Sequence, residues 1–174
     1  MGSARVPAAP GRFVIFSITG DGGAAVMLTF ENNRTLHDDL LLKFGGSVWR
    51  CDSYYLALDE GVLGRRRGAP KVRAVLRTLL EKWRAAIAAL ANGATAYLPY
   101  DFSDQCTAWL ACERVDTELL VRHGWATVEG WTIVPSDPPP PETKPAGFKP
   151  DGGPWPVSIA DFLDGIDRSI DAAR

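Results

Sequence analysis

Residues 94–135, ATAYLPYDFSDQCTAWLACERVDTELLVRHGWATVEGWTIVP, carry the densest run of strand signals in the chain and three of its six tryptophans. From Cys106 to Arg114 the residues alternate. Cys106, Ala108, Leu110 and Cys112 fall on one side and Thr107, Trp109, Ala111 and Glu113 on the other, the period-two pattern of a half-buried strand. Ala96–Leu98 predicts a shorter strand that stops or bends at Pro99, because proline lacks a backbone donor. Tyr100 to Gln105 then reads as a hairpin connection, since Asp and Ser side chains bond nearby backbone in turns. Val115-Asp116 reads as the next turn. Glu118–Arg122 and Ala126–Val134 follow as a third and fourth strand, separated by a bend at His123-Gly124-Trp125 where glycine permits a tight turn. Strands joined this closely pair antiparallel.

Outward from this meander lies the longest helical pattern. Over residues 71–91, Val72, Val75, Leu76, Leu79, Leu80, Trp83, Ile87 and Leu90 recur at spacings of three and four, giving one apolar stripe, and Asn92-Gly93 supplies a stop. The stripe needs a surface, and the inner face of the sheet is the natural one. Further upstream, Arg12–Thr19 and Ala24–Phe30 are strand-like and flank Gly20-Asp21-Gly22-Gly23, the signature of a hairpin loop. A phosphate-cradling glycine loop would open a helix, and strand signals follow this one instead. Residues 32–46 leave a short helix, capped by Thr35 and Asp38 and ended by Gly45-Gly46, and an irregular strand both open. Ser47–Asp52 and Tyr54–Asp59 read as strand-like pieces.

The expected fold is α+β: an antiparallel sheet, made of the N-terminal hairpin and the 94–135 meander, packed on the long helix. Residues 1–11 form a flexible lead and 12–135 a single domain. Residues 136–156 hold eight of the thirteen prolines, too many for regular structure, and read as an extended connector. Residues 157–174 form a final helix, with Ser158 and Asp161 as its cap and Ile159, Phe162, Leu163, Ile166 and Ile170 as the stripe that docks it back.

The 174 residues are enough for one core without disulfides or metal. A net charge of −2 and a pI near 5.7 give no general attraction to nucleic acid or anionic lipid. Three cysteines, Cys51, Cys106 and Cys112, cannot all pair within one chain, which fits a reducing cytoplasmic setting. No apolar run is long enough to span a membrane, and the N-terminal residues lack a signal peptide's apolar centre.

Little in the chain spells chemistry. With two histidines, His37 and His123, metal and hydrolase sites have few ligands to draw on. Cys106, His123 and Asp101 have the residue types of a nucleophilic triad, but the alternation hides Cys106 among small apolar neighbours. Asp52, Asp59, Glu60, Asp101 and Asp104 lack the spacing of a calcium loop or zinc motif and read as turn formers. Arg65-Arg66-Arg67 reads as a solvated loop without aromatics for stacking. No cofactor motif is present.

More suggestive are the rings. Tyr97, Tyr100, Phe102, Trp109, Trp125 and Trp131 are too many for one buried face, and those left on the outer face would make a protein-binding patch. Tyr100, Asp101, Phe102, Asp104, Gln105, Trp109, Trp125 and Trp131 are the candidate contacts there. Asp161 and Asp164, with Asp167 and Asp171, form an acidic ridge on the last helix suited to a basic partner. Trp-rich strands, acidic ridges and an α+β domain without a catalytic set resemble, in style, the small immunity proteins that bacteria pair with polymorphic toxins. LPYDFSDQ (98–105) and GWATVEGWTIVPSD (124–137) resemble stretches of uncharacterised bacterial proteins. The resemblance implies a non-enzymatic protein that neutralises a cognate toxin by occlusion; a small cysteine- or carboxylate-dependent hydrolase and a self-associating subunit are the alternatives.

Overall fold

The computed structural model describes residues 25–61 and 67–174. These residues form two antiparallel sheets and three α-helices. The first sheet holds β1 (Met27–Phe30), β2 (Leu40–Phe44) and β3 (Ser47–Cys51) in that order; α1 (Tyr54–Leu58) and α2 (Ala69–Ala89) follow. The second sheet, in order β4-β5-β6-β7, holds β4 (Thr95–Phe102), β5 (Thr107–Val115), β6 (Glu118–Ala126) and β7 (Lys149–Ser158), and α3 (Ile159–Ala172) ends the chain. The α+β class, the long helix and the terminal helix are those the sequence predicts. The predicted strand at 12–19, the Gly20–Gly23 turn and Arg65-Arg66 lie outside the described residues.

Within residues 32–46 the strand reading holds over Leu40–Phe44, and no helix forms. Leu40, Leu41, Leu42 and Phe44 are buried almost without interruption, as in a strand covered on both faces, whereas a helix would expose some of so continuous a run. Ahead of it Arg34, Leu36 and Asp38 all take positive φ, held by the Asn33 and Thr35 side chains. Gly45 and Gly46, with φ of 57° and 77°, make the two-residue turn of the β2–β3 hairpin instead of ending a helix. Tyr54–Leu58, read as strand-like, is one turn of helix.

In the second sheet the strands outrun their predicted ends. β4 continues through Pro99, accommodating it with a register shift before Asp101, and it can do so because β4 is an edge strand. β6 runs unbroken from Glu118 to Ala126, and residues 127–135 contain a single 3-10 turn, Gly130–Thr132, in place of a fourth strand. Gly124 is therefore no bend. A Cβ there would come within 2.5 Å of the Lys149 carbonyl and 2.7 Å of the Phe148 ring, so the glycine marks close approach by the following segment.

The proline-rich segment departs furthest from its predicted role. Its end, Lys149–Ser158, is β7, the opposite edge strand, where prolines cost no ladder bond on the outer side. Its middle crosses the outer face of the sheet. Tyr97 N–H donates to the Pro141 carbonyl at 2.7 Å, Thr127 N–H to the Ala146 carbonyl at 3.1 Å, and Phe148 packs edge-on to the Tyr97 ring. Residues 107–112 of β5 are consequently all buried, so the expected half-exposed strand has both faces covered.

The other face receives α2 and the first sheet. Leu98, Leu110 and His123 share it by register, and Trp49 of β3 stacks on His123 with ring centroids 4.7 Å apart. α2 starts at Gly68 and Pro70, proline being tolerated in a first turn, and buries Val72, Val75, Leu76, Leu79, Leu80, Trp83 and Ile87. α3 is capped as predicted: the Ser158 hydroxyl accepts from Asp161 N–H at 3.0 Å. It then closes on β1, where Leu28 N–H donates to the Ser169 hydroxyl.

That last contact yields a prediction. Alanine normally stabilises a helix interior relative to glycine by roughly 1 kcal/mol. At Gly165 the added Cβ would lie 2.1 Å from the Val26 carbonyl. Gly165→Ala should therefore lower unfolding stability, by about 2 kcal/mol or more, in a urea titration; a gain would show that α3 is not seated on the strand.

Candidate functional site

The candidate triad does not assemble. Cys106 lies beside the Ser103 hydroxyl, 3.6 Å away, while His123 is engaged at both nitrogens by other residues, Tyr100 and Asp151. The Asp151 carboxylate accepts from Nδ1–H, which in the neutral ring leaves Nε2 to accept the Tyr100 hydroxyl proton. Burial lowers the His123 pKa, against the opposing pull of Asp151, and raises that of Tyr100. Trp125 Nε1–H completes the network by donating to Asp151 at 2.9 Å. Trp49 and Trp125 flank the imidazole, so the group ties β4, β6 and β7 together beneath the first sheet. It is a closed polar clamp.

The carboxylates are likewise occupied. Asp59 takes Ser136 N–H and hydroxyl at 2.7 and 2.8 Å, and Asp52 takes His37 Nδ1 and Asp38 N–H, both at 2.8 Å. The hydrogen bond to Asp52 raises the His37 pKa. Asp101 is buried, and burial with the nearby Asp52 charge pushes its pKa up to about 7. Burial pushes the Cys51 and Cys112 thiols up. Among the described residues no three His, Cys, Asp or Glu side chains converge as a metal site. Nor, among them, is any helix long and apolar enough to cross a membrane.

The surface tells more than the interior. Of the five large hydrophobic residues exposed among the described residues, Val115 is at the β5–β6 turn, and the other four, Tyr54 (41%), Leu58 (53%), Trp131 (64%) and Val134 (46%), gather at one end. Three anchors bring them there. The Tyr55 hydroxyl donates to Asp104, fixing α1 on the β4–β5 turn; this bond, with some burial, pushes the tyrosine pKa up to about 12. Gly130 N–H donates to the Ser103 carbonyl at 2.8 Å, setting the 3-10 turn that carries Trp131 on the same β4–β5 turn. Asp59 holds Ser136, placing Val134 near the end of α1. Tyr54 and Leu58, one helical turn apart, share a face of α1. His37 stacks on Tyr54, and Asp52, Asp104 and Glu129 lie around the rings.

The predicted contact residues divide between inside and outside. Asp104, Gln105 and Trp131 are exposed on this end face. Tyr100, Phe102 and Trp109 are buried in the core and Asp101 is buried beside them; Trp125 is half-buried and committed to Asp151. Asp161 and Asp164 are exposed, but the ridge is largely neutralised by the chain's own arginines: Asp164 pairs with Arg168 at 3.2 Å, Asp167 with Arg84 at 2.6 Å and Asp171 with Arg174 at 3.1 Å, while the Asp161 carboxylate accepts from the capping Ser158 hydroxyl at 2.7 Å. Sequence reasoning missed Tyr54 and Leu58, whose i, i+4 spacing is a signal too short to distinguish five residues of helix from strand. Compared with known proteins, the chain matches no family model, no curated protein and no solved structure.

Two expectations follow from the buried groups. His123→Leu leaves the buried Tyr100 hydroxyl unpaired and should cost about 3 kcal/mol of unfolding stability; a loss under about 1 kcal/mol would mean the clamp contributes little. Asp101 keeps its proton up to about pH 7 when folded but loses it near the ordinary carboxylate value when unfolded. Folding therefore takes up a proton between these values, and this contribution to stability fades as pH rises through about 7. Asp101→Asn removes the effect, so it should raise the melting temperature at about pH 8 and change it little near about pH 4; equal shifts at both would refute the assignment.

Proposed function

We propose that this chain is a non-enzymatic protein-binding protein whose contact surface is the end face of Tyr54, Leu58, Asp104, Trp131 and Val134. The observation that carries the reading is the concentration there of four of the five large hydrophobics exposed among the described residues. Isolated exposed apolar residues are ordinary, whereas a cluster rimmed by polar groups marks interaction sites. Tyrosine and tryptophan are also the side chains most often found as interface anchors, because they bury much area at small entropy cost.

The edges of the second sheet support docking through side chains in preference to strand addition. β7 carries Pro150, Pro154 and Pro156, and β4 carries Pro99 with Tyr97 N–H already bonded to Pro141. With carboxylates around the rings, the complementary partner is one that presents basic groups about an apolar centre. In its most concrete form the reading is an immunity protein: it covers the working surface of a cognate toxin and needs no reaction of its own.

Calorimetric titration with the product of the adjacent gene tests this directly. A dissociation constant in the micromolar range or tighter is expected. Trp131→Ala should weaken it at least tenfold, about 1.4 kcal/mol, and Asp104→Lys should weaken it further at low salt, whereas Asp164→Lys on α3 should not. No binding, or binding indifferent to Trp131, would overturn the assignment of the face.

A further inference from the structure

Asn92-Gly93, the stop of the long helix, is the one Asn-Gly pair in the sequence. Such a pair is open to attack by its own backbone. Glycine has no Cβ to crowd its nitrogen, so that nitrogen can reach the side-chain carbonyl carbon of the asparagine before it.

The fold sets the pair at the corner of a turn. Ala94 N–H returns to the Ala91 carbonyl at 3.1 Å, and Gly93 takes a φ of 77°, which favours glycine. The β5–β6 turn closes this corner from the side. Asp116 N–H donates to Asn92 Oδ1 at 2.8 Å, and Asn92 Nδ2–H donates to Asp116 Oδ1 at 3.3 Å. The Gly93 N–H donates to the Arg114 carbonyl at 2.9 Å. Both reacting groups are therefore engaged: the side-chain amide must leave Asp116 to turn toward the nitrogen, and the nitrogen must leave Arg114 to lose its proton.

This lock lies at the surface. Asn92, Gly93, Val115 and Asp116 are all exposed, so releasing it uncovers little apolar area, and exposed hydrogen bonds of this kind open without the rest of the fold. Arg114 favours the closed form with two further ties, Nη1 to the Leu90 carbonyl at 2.7 Å and Nε to the Asp116 carbonyl at 3.0 Å.

We propose that Asn92 is a self-modification site gated by this lock. In the open state the Gly93 nitrogen, once deprotonated, bonds to Asn92 Cγ. The Cγ–Nδ2 bond breaks, and Nδ2 leaves as ammonia with a proton taken from solvent. Water then opens the cyclic imide at either carbonyl, leaving an aspartate in a normal or a lengthened main chain. Amide and water become carboxylate and ammonium, with no change of oxidation state. Reclosing does not restore the joint, because the new carboxylate has no donor in place of Nδ2–H and faces the Asp116 carboxylate with like charge. The end of α2 and the β5–β6 turn are thereby uncoupled.

The test is to hold the full-length chain folded at mildly alkaline pH and, in parallel, unfolded in urea, and to follow conversion by peptide mass mapping. Asn92 should convert in the folded chain ahead of Asn32 and Asn33, which no glycine follows, yet about tenfold or more slowly than in urea. Asp116→Gly removes the side-chain acceptor and suits the φ of 53° at that position. It should speed conversion of the folded chain about threefold or more and leave the rate in urea unchanged. Gly165→Ala, which lowers global stability from α3, should leave the folded-state rate unchanged because the opening is local; if that variant does not fold, urea below the unfolding transition serves the same purpose. An Asn92 that stays intact in the folded chain while it converts in urea, equal rates in the two states, indifference to Asp116→Gly, or a rate that rises with global destabilisation would overturn the proposal.

Discussion

A strand buried on both faces requires two covers, and this requirement organises the molecule. Six successive residues of β5, from Thr107 to Cys112, are shut off from solvent. The side chains on its two faces alternate, so no single layer can reach them all. α2 and the first sheet cover the face that carries Leu110 and His123. The other face, which carries Trp109, lies between Pro99 and Gly124 in register and is closed by the proline-rich strap. Proline suits this task because a strap lying across a sheet cannot join the ladder and loses nothing by lacking the donor. The rigid backbone also has less entropy to lose on ordering.

How much of this was legible follows from where the signals reside. The helix at 69–89 was readable because its apolar spacing repeats over several turns, and α3 because cap and stripe agree. β5 was readable as a strand but not as one buried twice, since Thr107, Ala108 and Ala111 are small or polar enough to suit either setting. Pro99 and Gly124 were read as interruptions because their usual backbone effects are local. Here one sits at an edge and the other under Phe148, and both facts are tertiary. Gly45-Gly46 left two readings open for the same reason: the pair ends a helix or turns a hairpin depending on what pairs beside it.

The candidate site was legible in kind and only partly in place. An excess of rings and carboxylates is a property of composition, and it pointed to recognition. Which rings stay outside depends on the strap, whose path over the sheet has no signature in a run of prolines. Once the strap takes the outer face, Trp109 goes under it and Trp125 turns to Asp151, leaving Trp131 on its short 3-10 turn as the exposed tryptophan of the three. The acidic ridge fared similarly. Spacing put four aspartates on one face of α3, but Arg84, which neutralises Asp167, is 83 residues away in sequence.

The same closure explains why the two conspicuous polar groups of the interior do different work. The Tyr100–His123–Asp151 chain is satisfied at every nitrogen and oxygen that takes part in it, and a fully paired buried network rigidifies the layers it joins. Its reach from core to β7 sets the position of the edge strand from which α3 departs. The Trp83 N–H, by contrast, is buried with no hydrogen-bond partner among the described residues. The two covers meet along a groove lined by α2, β4 and Asp137–Pro141.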